Sequence, residues 1–361
     1  MGRRAFVGWA WGLCTCMASL ACGAALVPGR ADAPDGATEA SVVDSGRVPT
    51  QVTVIATFDL PRGRTTRAIS GTVFDETSGT LLAILDGEPA LVTLTPSADF
   101  RTWSVGALTP VTGRGTTGWD AEGLARVGDT LYAITDETSA VVEAMDLSGK
   151  VRSRVTLPPV WSKIRPGNKG IESLASSPSG KILFLANEQA LTVDGSGPTK
   201  ERGSIVRILK RTLSTSTDTV FAYRTDPLGA GTGGDMGVSE IVALGDSDLL
   251  VLERGFQSDF GNTVRLYRVS LASGGLPGDV AAVAADAKVL AKELLVDFAT
   301  LDCGGCTHPS RQPNPILDNY EALAIGPRLN DGRRLLFVTS DDNGSTSQVP
   351  RILVLGIRGL H

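Results

Sequence analysis

Four glutamates recur in one sequence setting. Glu122-Gly123-Leu124-Ala125, Glu172-Ser173-Leu174-Ala175 and Glu321-Ala322-Leu323-Ala324 each join an acid to a small residue, an aliphatic and an alanine. Glu240-Ile241-Val242-Ala243 is a looser copy and Ser70-Gly71-Thr72-Val73 a degenerate one. After each copy an apolar run ends in further acids, which adds Asp86, Asp136, Glu137, Glu188, Glu253, Asp341 and Asp342 as a second layer. Asp120, Asn168, Asp318 and Asn319 stand just upstream of the glutamates. Carboxylates held close together raise one another's pKa unless a cation sits among them. Oxygen donors without Cys or His suit a hard cation. Calcium, which accepts roughly six to eight loosely arranged oxygens, is expected over magnesium, which demands a stricter octahedron. The expected ligand set is Asp120, Glu122, Glu172, Glu240, Asn319 and Glu321. Lys169, Arg254 and Arg265 are the basic residues placed to bind an anionic substrate. A plainer role for each acid is to accept backbone N–H groups between neighbouring elements, and for each base to pair with an acid.

Such residues converge only if the chain repeats its architecture. Self-similar cycles of roughly 50 residues, each a set of short strands bounded by Gly, Pro, Asp and Ser, are the signature of a ring of sheets. In a β-propeller the first strand of each sheet lines a central channel, so residues at equivalent positions meet around one axis. Five four-stranded blades are expected, with a sixth as the alternative if the long stretch between Glu240 and Glu321 hides one. The last cycle is one strand short, and the strand at 51–60 is spare. A propeller closed by that N-terminal strand explains both and removes two exposed sheet edges. A sandwich or a solenoid does not need equal cycles with the same acid in the same place.

The chain has 361 residues, of which 42% are hydrophobic and 20% charged, with 42 Gly and 19 Pro. That supports a large core with many tight turns. A net charge of −5 leaves no basic footprint for nucleic acid. Residues 1–27 read as an export signal, with Arg3-Arg4-Ala5-Phe6-Val7 resembling a twin-arginine motif. Cys22 follows an imperfect lipobox, so lipid anchoring there is an alternative to cleavage and release. Residues 28–50 read as a flexible linker, and 51–361 as the propeller. The expected product is a periplasmic or extracellular monomer with no transmembrane domain once the signal is removed. Cys303 and Cys306 are the two cysteines outside the signal and are expected to form a loop disulfide. His308 nearby leaves zinc as the alternative reading.

Several chemistries are set aside. No Gly-x-Ser-x-Gly is present, and the only histidines are His308 and His361, which excludes a conventional Ser-His-Asp hydrolase. Gly229 to Gly234 matches a dinucleotide fingerprint by letters alone, with no helix to follow it.

Trp119-Asp120-Ala121-Glu122-Gly123, Asn168-Lys169-Gly170-Ile171-Glu172, Leu250-Val251-Leu252-Glu253-Arg254 and Asp318-Asn319-Tyr320-Glu321-Ala322 together resemble the bacterial phytase-like domain described as "esterase-like activity of phytase". Gly332-Arg333-Arg334-Leu335 and Ser340-Asp341-Asp342-Asn343 fit it too. The resemblance spans about residues 65–357. It implies an exported protein linked to phosphoester hydrolysis. Ser173 and Ala322 depart from the usual Gly after the acid. The leading expectation is a calcium-dependent phosphoric ester hydrolase with Glu122, Glu172, Glu240, Glu321 and Arg254 at its centre. The alternatives are a non-catalytic, calcium-stabilised binding propeller and a lactonase-type esterase.

Overall fold

The computed structural model describes residues 50–114 and 118–360. The expected signal, nearly all of the linker, and Cys22 lie outside them. The chain opens with β1 (Gln51–Asp59). Blade one is β2 (Ile69–Asp75), β3 (Thr80–Leu85), β4 (Ala90–Pro96) and β5 (Trp103–Pro110), and blade two is β6 (Leu124–Val127), β7 (Thr130–Asp136), β8 (Val141–Asp146) and β9 (Val151–Val155). Blade three is β10 (Ile171–Ser176), β11 (Ile182–Asn187), β12 (Ile205–Thr212) and β13 (Thr217–Arg224). Blade four takes β14 (Asp235–Ala243), β15 (Asp248–Gln257) and β16 (Gly261–Ser270). The two-residue β17 (Leu276–Pro277) then returns to the edge of blade three, and β18 (Lys292–Asp297) completes blade four. The long stretch after Glu240 therefore supplies an edge and a fourth strand, not a sixth blade.

Blade five is β19 (Tyr320–Arg328), β20 (Arg334–Ser340), β21 (Arg351–Arg358) and, outermost, β1. The first strand thus pairs antiparallel with the last, from Gln51 opposite Arg358 to Asp59 opposite Arg351. The Arg351 guanidinium holds the Asp59 carboxylate at 2.6 Å at the end of that ladder. The innermost strands β2, β6, β10, β14 and β19 meet their neighbours all the way round, so the five sheets form one closed ring.

The core lies between the blades. Five apolar clusters fill the five wedges, and one gathers Phe74, Phe100 and Trp103 around Phe337 with ring centroids 5.2, 5.7 and 5.2 Å away. Second strands such as Ile182 to Asn187 are buried at every position, because both faces of each sheet are covered by a neighbour. Outer strands such as β9 carry charge. At the axis the packing is closer still. A Cβ on Gly123 would lie 2.4 Å from the Leu174 nitrogen, so adjacent innermost strands touch there by backbone.

Cys303 and Cys306 are joined as a disulfide in the connection between blades four and five. His308 is not placed as a zinc ligand beside them. Its Nε2 lies 3.0 Å from Asp318, and Ser310 engages its other nitrogen.

Candidate functional site

Four of the five innermost strands carry a one-residue bulge against their second strand. The pairing skips Ser70, Glu172, Ser239 and Glu321, and Glu122 occupies the same place just ahead of β6. Bulges re-aim a side chain out of the ladder and recur at the rims of β architectures. The ring at this level is therefore Ser70, Glu122, Glu172, Ser239 and Glu321. Glu240 was expected in it and is not; it lies one residue further along. The Glu-x-x-Ala letters mislead in blade four. The reliable signal is the aliphatic two places after the ring position: Leu124, Leu174, Ile241 and Leu323.

Blade four departs a second time. The register that places Leu85 opposite Ile69, Asn187 opposite Ile171 and Ser340 opposite Tyr320 places Glu253 opposite Val238. The residue after each of these is Asp86, Glu188, Asp341 and Arg254. A guanidinium thus stands where three other blades present an acid. Glu253, expected in the second layer, is turned away. Its carboxylate accepts from the Tyr223 hydroxyl at 2.5 Å, the Asp226 N–H at 2.7 Å and the Lys292 ammonium. Arg265 belongs to the same outer network, bonded to Asp226 at 2.7 Å and Asp297 at 2.8 Å, so it is not at the expected substrate site. Asp136 is used in its own turn by the Thr138 hydroxyl and the Ser139 N–H. The next residue, Glu137, enters the cavity instead.

One cavity of about 250 Å³ collects Asp86, Glu122, Glu137, Glu172, Glu188, Glu321 and Asp341 around Lys169 and Arg254. Seven carboxylates therefore face two cations. Ser70, Asn168, Asn319 and Asn343 complete its polar wall. Asn343 was the one wall side chain with no place in the expected set. A larger cavity of about 770 Å³ opens at the other end of the same strands, but its arginines are already engaged, Arg126 with Asp75, Arg334 with Glu76, and Arg328 with the carbonyls of Gly332 and Leu360. The concentration of like charge, not the size of the void, marks the smaller one as the site.

Arg254 Nη2 lies 3.2 Å from Glu321, 3.5 Å from Glu172 and 3.7 Å from Glu188. Charge-assisted bonds are normally about 2.7–2.9 Å, so the guanidinium is shared among three acids and committed to none. Its Nε is buried with no partner among the described residues. Burial opposes its charge, but Glu321, Glu188 and Glu172 outweigh that and raise its pKa. Lys169 bonds Glu188 at 2.9 Å and also Asp235, and those acids likewise overcome its burial. Asn319 Nδ2 donates to Glu321 at 2.8 Å.

The acids are not neutralised by these two bases. Burial lifts Glu122 well above the usual carboxylate range, and Glu172, Glu321, Glu137 and Asp86 push it further. Burial lifts Glu172 likewise, with Glu188, Glu137 and Glu321 adding and Arg254 opposing. Glu137 is pushed up to about 8 by burial, against the pull of the Gly170 N–H, with Glu188 and Asp120 adding. Asp86 rises to about 6, through burial and Asp120. Asp341 also rises, through burial and Glu321.

The blade-joining role expected for such acids is present in the same side chains. Asp86 accepts the Ala121 N–H of blade two at 3.0 Å, and Glu137 accepts the Gly170 N–H ahead of blade three at 2.5 Å. Glu137 Oε2 remains buried without a partner among the described residues. Two trios of ligand-capable oxygens gather within 4.8 Å, Asp86 with Asp120 and Glu122, and Glu122 with Glu137 and Glu172. Glu122 is common to both.

The ring of five sheets with an acid-lined mouth defines a five-bladed β-propeller with a polar axial site. The phytase-like family model, esterase-like activity of phytase, matches residues 64–344, and the chain belongs to that family. Among solved structures, the PQQ-bound aldose sugar dehydrogenase of Streptomyces coelicolor is 12% identical over 86% of this chain and 98% of that one, with a TM-score of 0.39. Myxococcus xanthus glutaminyl cyclase is 12% identical over 86% and 98%, with a TM-score of 0.41. The endo-arabinase of Bacteroides thetaiotaomicron is 13% identical over 82% and 96%, with a TM-score of 0.44. No curated protein matches the sequence. Among the described residues no helix is long and apolar enough to cross a membrane.

Proposed function

We propose that this chain is an exported, calcium-dependent phosphoric ester hydrolase that works from the acid-lined mouth. The observation that carries the reading is the imbalance of seven carboxylates against two cations in one small cavity. Left alone, those acids must take up protons; a hard cation relieves the same repulsion while they stay ionised. The oxygen-only donors, the shared Glu122 and the unpartnered Glu137 Oε2 fit such an ion. Asp86, Asp120, Glu122, Glu137 and Glu172 would hold it. When bound, a divalent cation supplies Lewis acidity at a phosphoryl oxygen.

The rest is done by the chain's own groups. Arg254, loosely shared and with an unpartnered Nε–H among the described residues, can offer that N–H to a phosphate while Glu321 holds its Nη2 in place. Lys169 adds a second positive charge on the same wall. Glu188 and Glu321, each paired to one of these bases, fix where the bases point and can take a proton from an attacking water.

The test is a panel of chromogenic phosphomonoesters and phosphodiesters, run with calcium, magnesium and chelator. Calcium-dependent turnover is the expected result. Silence across the panel, together with a calcium-raised melting temperature, instead identifies a binding propeller, and activity on lactones identifies the esterase alternative. N-terminal sequencing of the protein recovered outside the cytoplasm tests export.

A further inference from the structure

The axis between the two mouths passes through one more layer. It is formed by Gly71, Gly123, Ser173, Glu240 and Ala322, one residue beyond the ring, and lines neither cavity. Glu240 is the one long side chain in this layer and is 1% exposed. Its Oε1 accepts from the Leu174 N–H of blade three at 3.2 Å and from the Ile241 N–H at 2.9 Å. The side chain therefore reaches from blade four to the backbone of blade three. Its Oε2 is buried with no partner among the described residues, and so are the hydroxyls of Ser70, Thr72, Ser173 and Ser239. Ser70 lines the acid cavity and Thr72 the opposite one. Unsatisfied polar atoms thus run along the innermost strands from one mouth to the other, through the level of Glu240.

Buried polar atoms in folded proteins are almost always bonded, and a water is held where two to four of them converge. A lone carboxylate with no cation facing it favours its acid form. Burial is the dominant influence on Glu240, opposed only by the two backbone N–H groups, and no charged side chain contributes. At Gly71 and Gly123 a β-carbon would lie within 2.6 Å of the next strand's backbone, so the innermost strands close on one another at this level.

We infer that Glu240 is a protonated axial plug, whose Oε2–H and the hydroxyls of Ser173 and Ser239 hold buried water that separates the acid cavity from the opposite mouth. Access to the acid site is then one-ended, and the water column is an internal polar site of its own. It does not depend on what the acid cavity binds or hydrolyses.

The test compares the full chain with Glu240→Gln, which keeps the shape and removes the proton. The infrared difference spectrum at neutral pH is expected to show loss of a protonated carboxyl band, and the denaturation midpoint of the variant is expected to gain on wild type as pH rises from 5 to 8, because only the wild-type carboxyl ionises on unfolding. A carboxylate band in its place, or a midpoint gap that stays constant from pH 5 to pH 8, overturns the inference. A crystal structure of the wild type decides independently of how the variant folds. Ordered water bonded to Glu240 Oε2 supports the plug; a metal ion on Oε2, or a dry channel, sinks it.

Discussion

The Arg254 guanidinium stands 3.2 Å from the Glu321 carboxylate, reaching from blade four to blade five across the acid-lined mouth. The same nitrogen is within 3.7 Å of Glu188 on blade three. One cation therefore ties three blades together in a site otherwise crowded with negative charge. Its position is the one where blades one, three and five carry Asp86, Glu188 and Asp341, so blade four is the ring's electrostatic exception.

Replacing Arg254 with Gln separates its two roles. Losing one partner of a buried ion pair costs about 3–5 kcal/mol when the other charge is left stranded. Here the stranded acids can take up protons, so the metal-free variant is expected to lose less at pH 5 than at pH 8. With one positive charge gone from the cavity, calcium is expected to bind about tenfold more tightly. Phosphoester turnover is expected to fall about 100-fold or more, because the group that meets the developing charge is missing. Urea melts at both pH values, calcium titration and initial rates check the three parts. Weaker calcium binding in the variant would contradict this account of the site.

Glu122 is the acid common to both oxygen trios. Glu122→Gln, alone and with Glu321→Gln, is expected to remove calcium-dependent stabilisation and turnover together. Calcium at a hundred times its Kd stabilises a single-site protein by about 2.7 kcal/mol, which is readily visible in a melt. The metal-free single variant is expected to be as stable as wild type or more so, because it removes a charge that its neighbours oppose. A double variant whose melting temperature still rises with calcium would place the ion elsewhere.

How much of this could be read from the letters depends on what each residue does. Ring closure was legible because the unmatched strand at 51–60 and the short last cycle need each other. Glu122, Glu172 and Glu321 were legible because the bulge sits in one frame relative to a following leucine. Glu240 was misread because blade four puts Ser239 on the bulge, and a one-residue slip sends a side chain elsewhere. A one-residue shift in the same blade also put Glu253 in the second layer, whereas it is Arg254, expected at the site for its charge, that takes the position where other blades carry an acid. Which of Asp136 and Glu137 enters the cavity was undecidable from sequence, since a turn needs one and the axis the other. Arg265 and Glu253 are separated from the site by three-dimensional pairing with Asp226 and Lys292, which leaves no trace in spacing.

The raised acids set a pH dependence whose sign follows directly. A carboxyl whose folded pKa exceeds its unfolded value stabilises the fold below the unfolded value, and that contribution is lost as pH rises through the folded one. For Asp86 the folded value is about 6, and for Glu137 it is about 8, against a starting value of 4.5 for glutamate. His308, raised despite burial by its bond to Asp318, acts in the same direction. Asp75 and Asp226 are lowered and lose their contribution only in more acidic solution. The metal-free protein is therefore expected to lose stability steadily between about pH 4.5 and 8. Saturating calcium, which favours the ionised acids, is expected to flatten that slope or reverse it. Parallel slopes with calcium and with chelator would show that no cation engages these carboxylates.

The outer network of blade four supplies the control. Arg265 is partly exposed and bonded to Asp226 and Asp297, well outside the acid cavity. Arg265→Ala is expected to reduce stability by about 1–2 kcal/mol, the range of a partly exposed charge-assisted pair. Calcium affinity and turnover are expected to stay within about twofold of wild type, since a change of that size is under about 0.5 kcal/mol. Glu253→Gln goes further, because it loosens the Lys292 contact and changes the bond to Tyr223 inside the wedge between blades three and four. It is expected to lower the melting temperature more than Arg265→Ala while leaving the calcium-induced rise intact. If Arg265→Ala instead abolished turnover in a protein that still melts cooperatively and still answers to calcium, the substrate would have to reach this outer network, and the axial mouth would lose its claim to be the site.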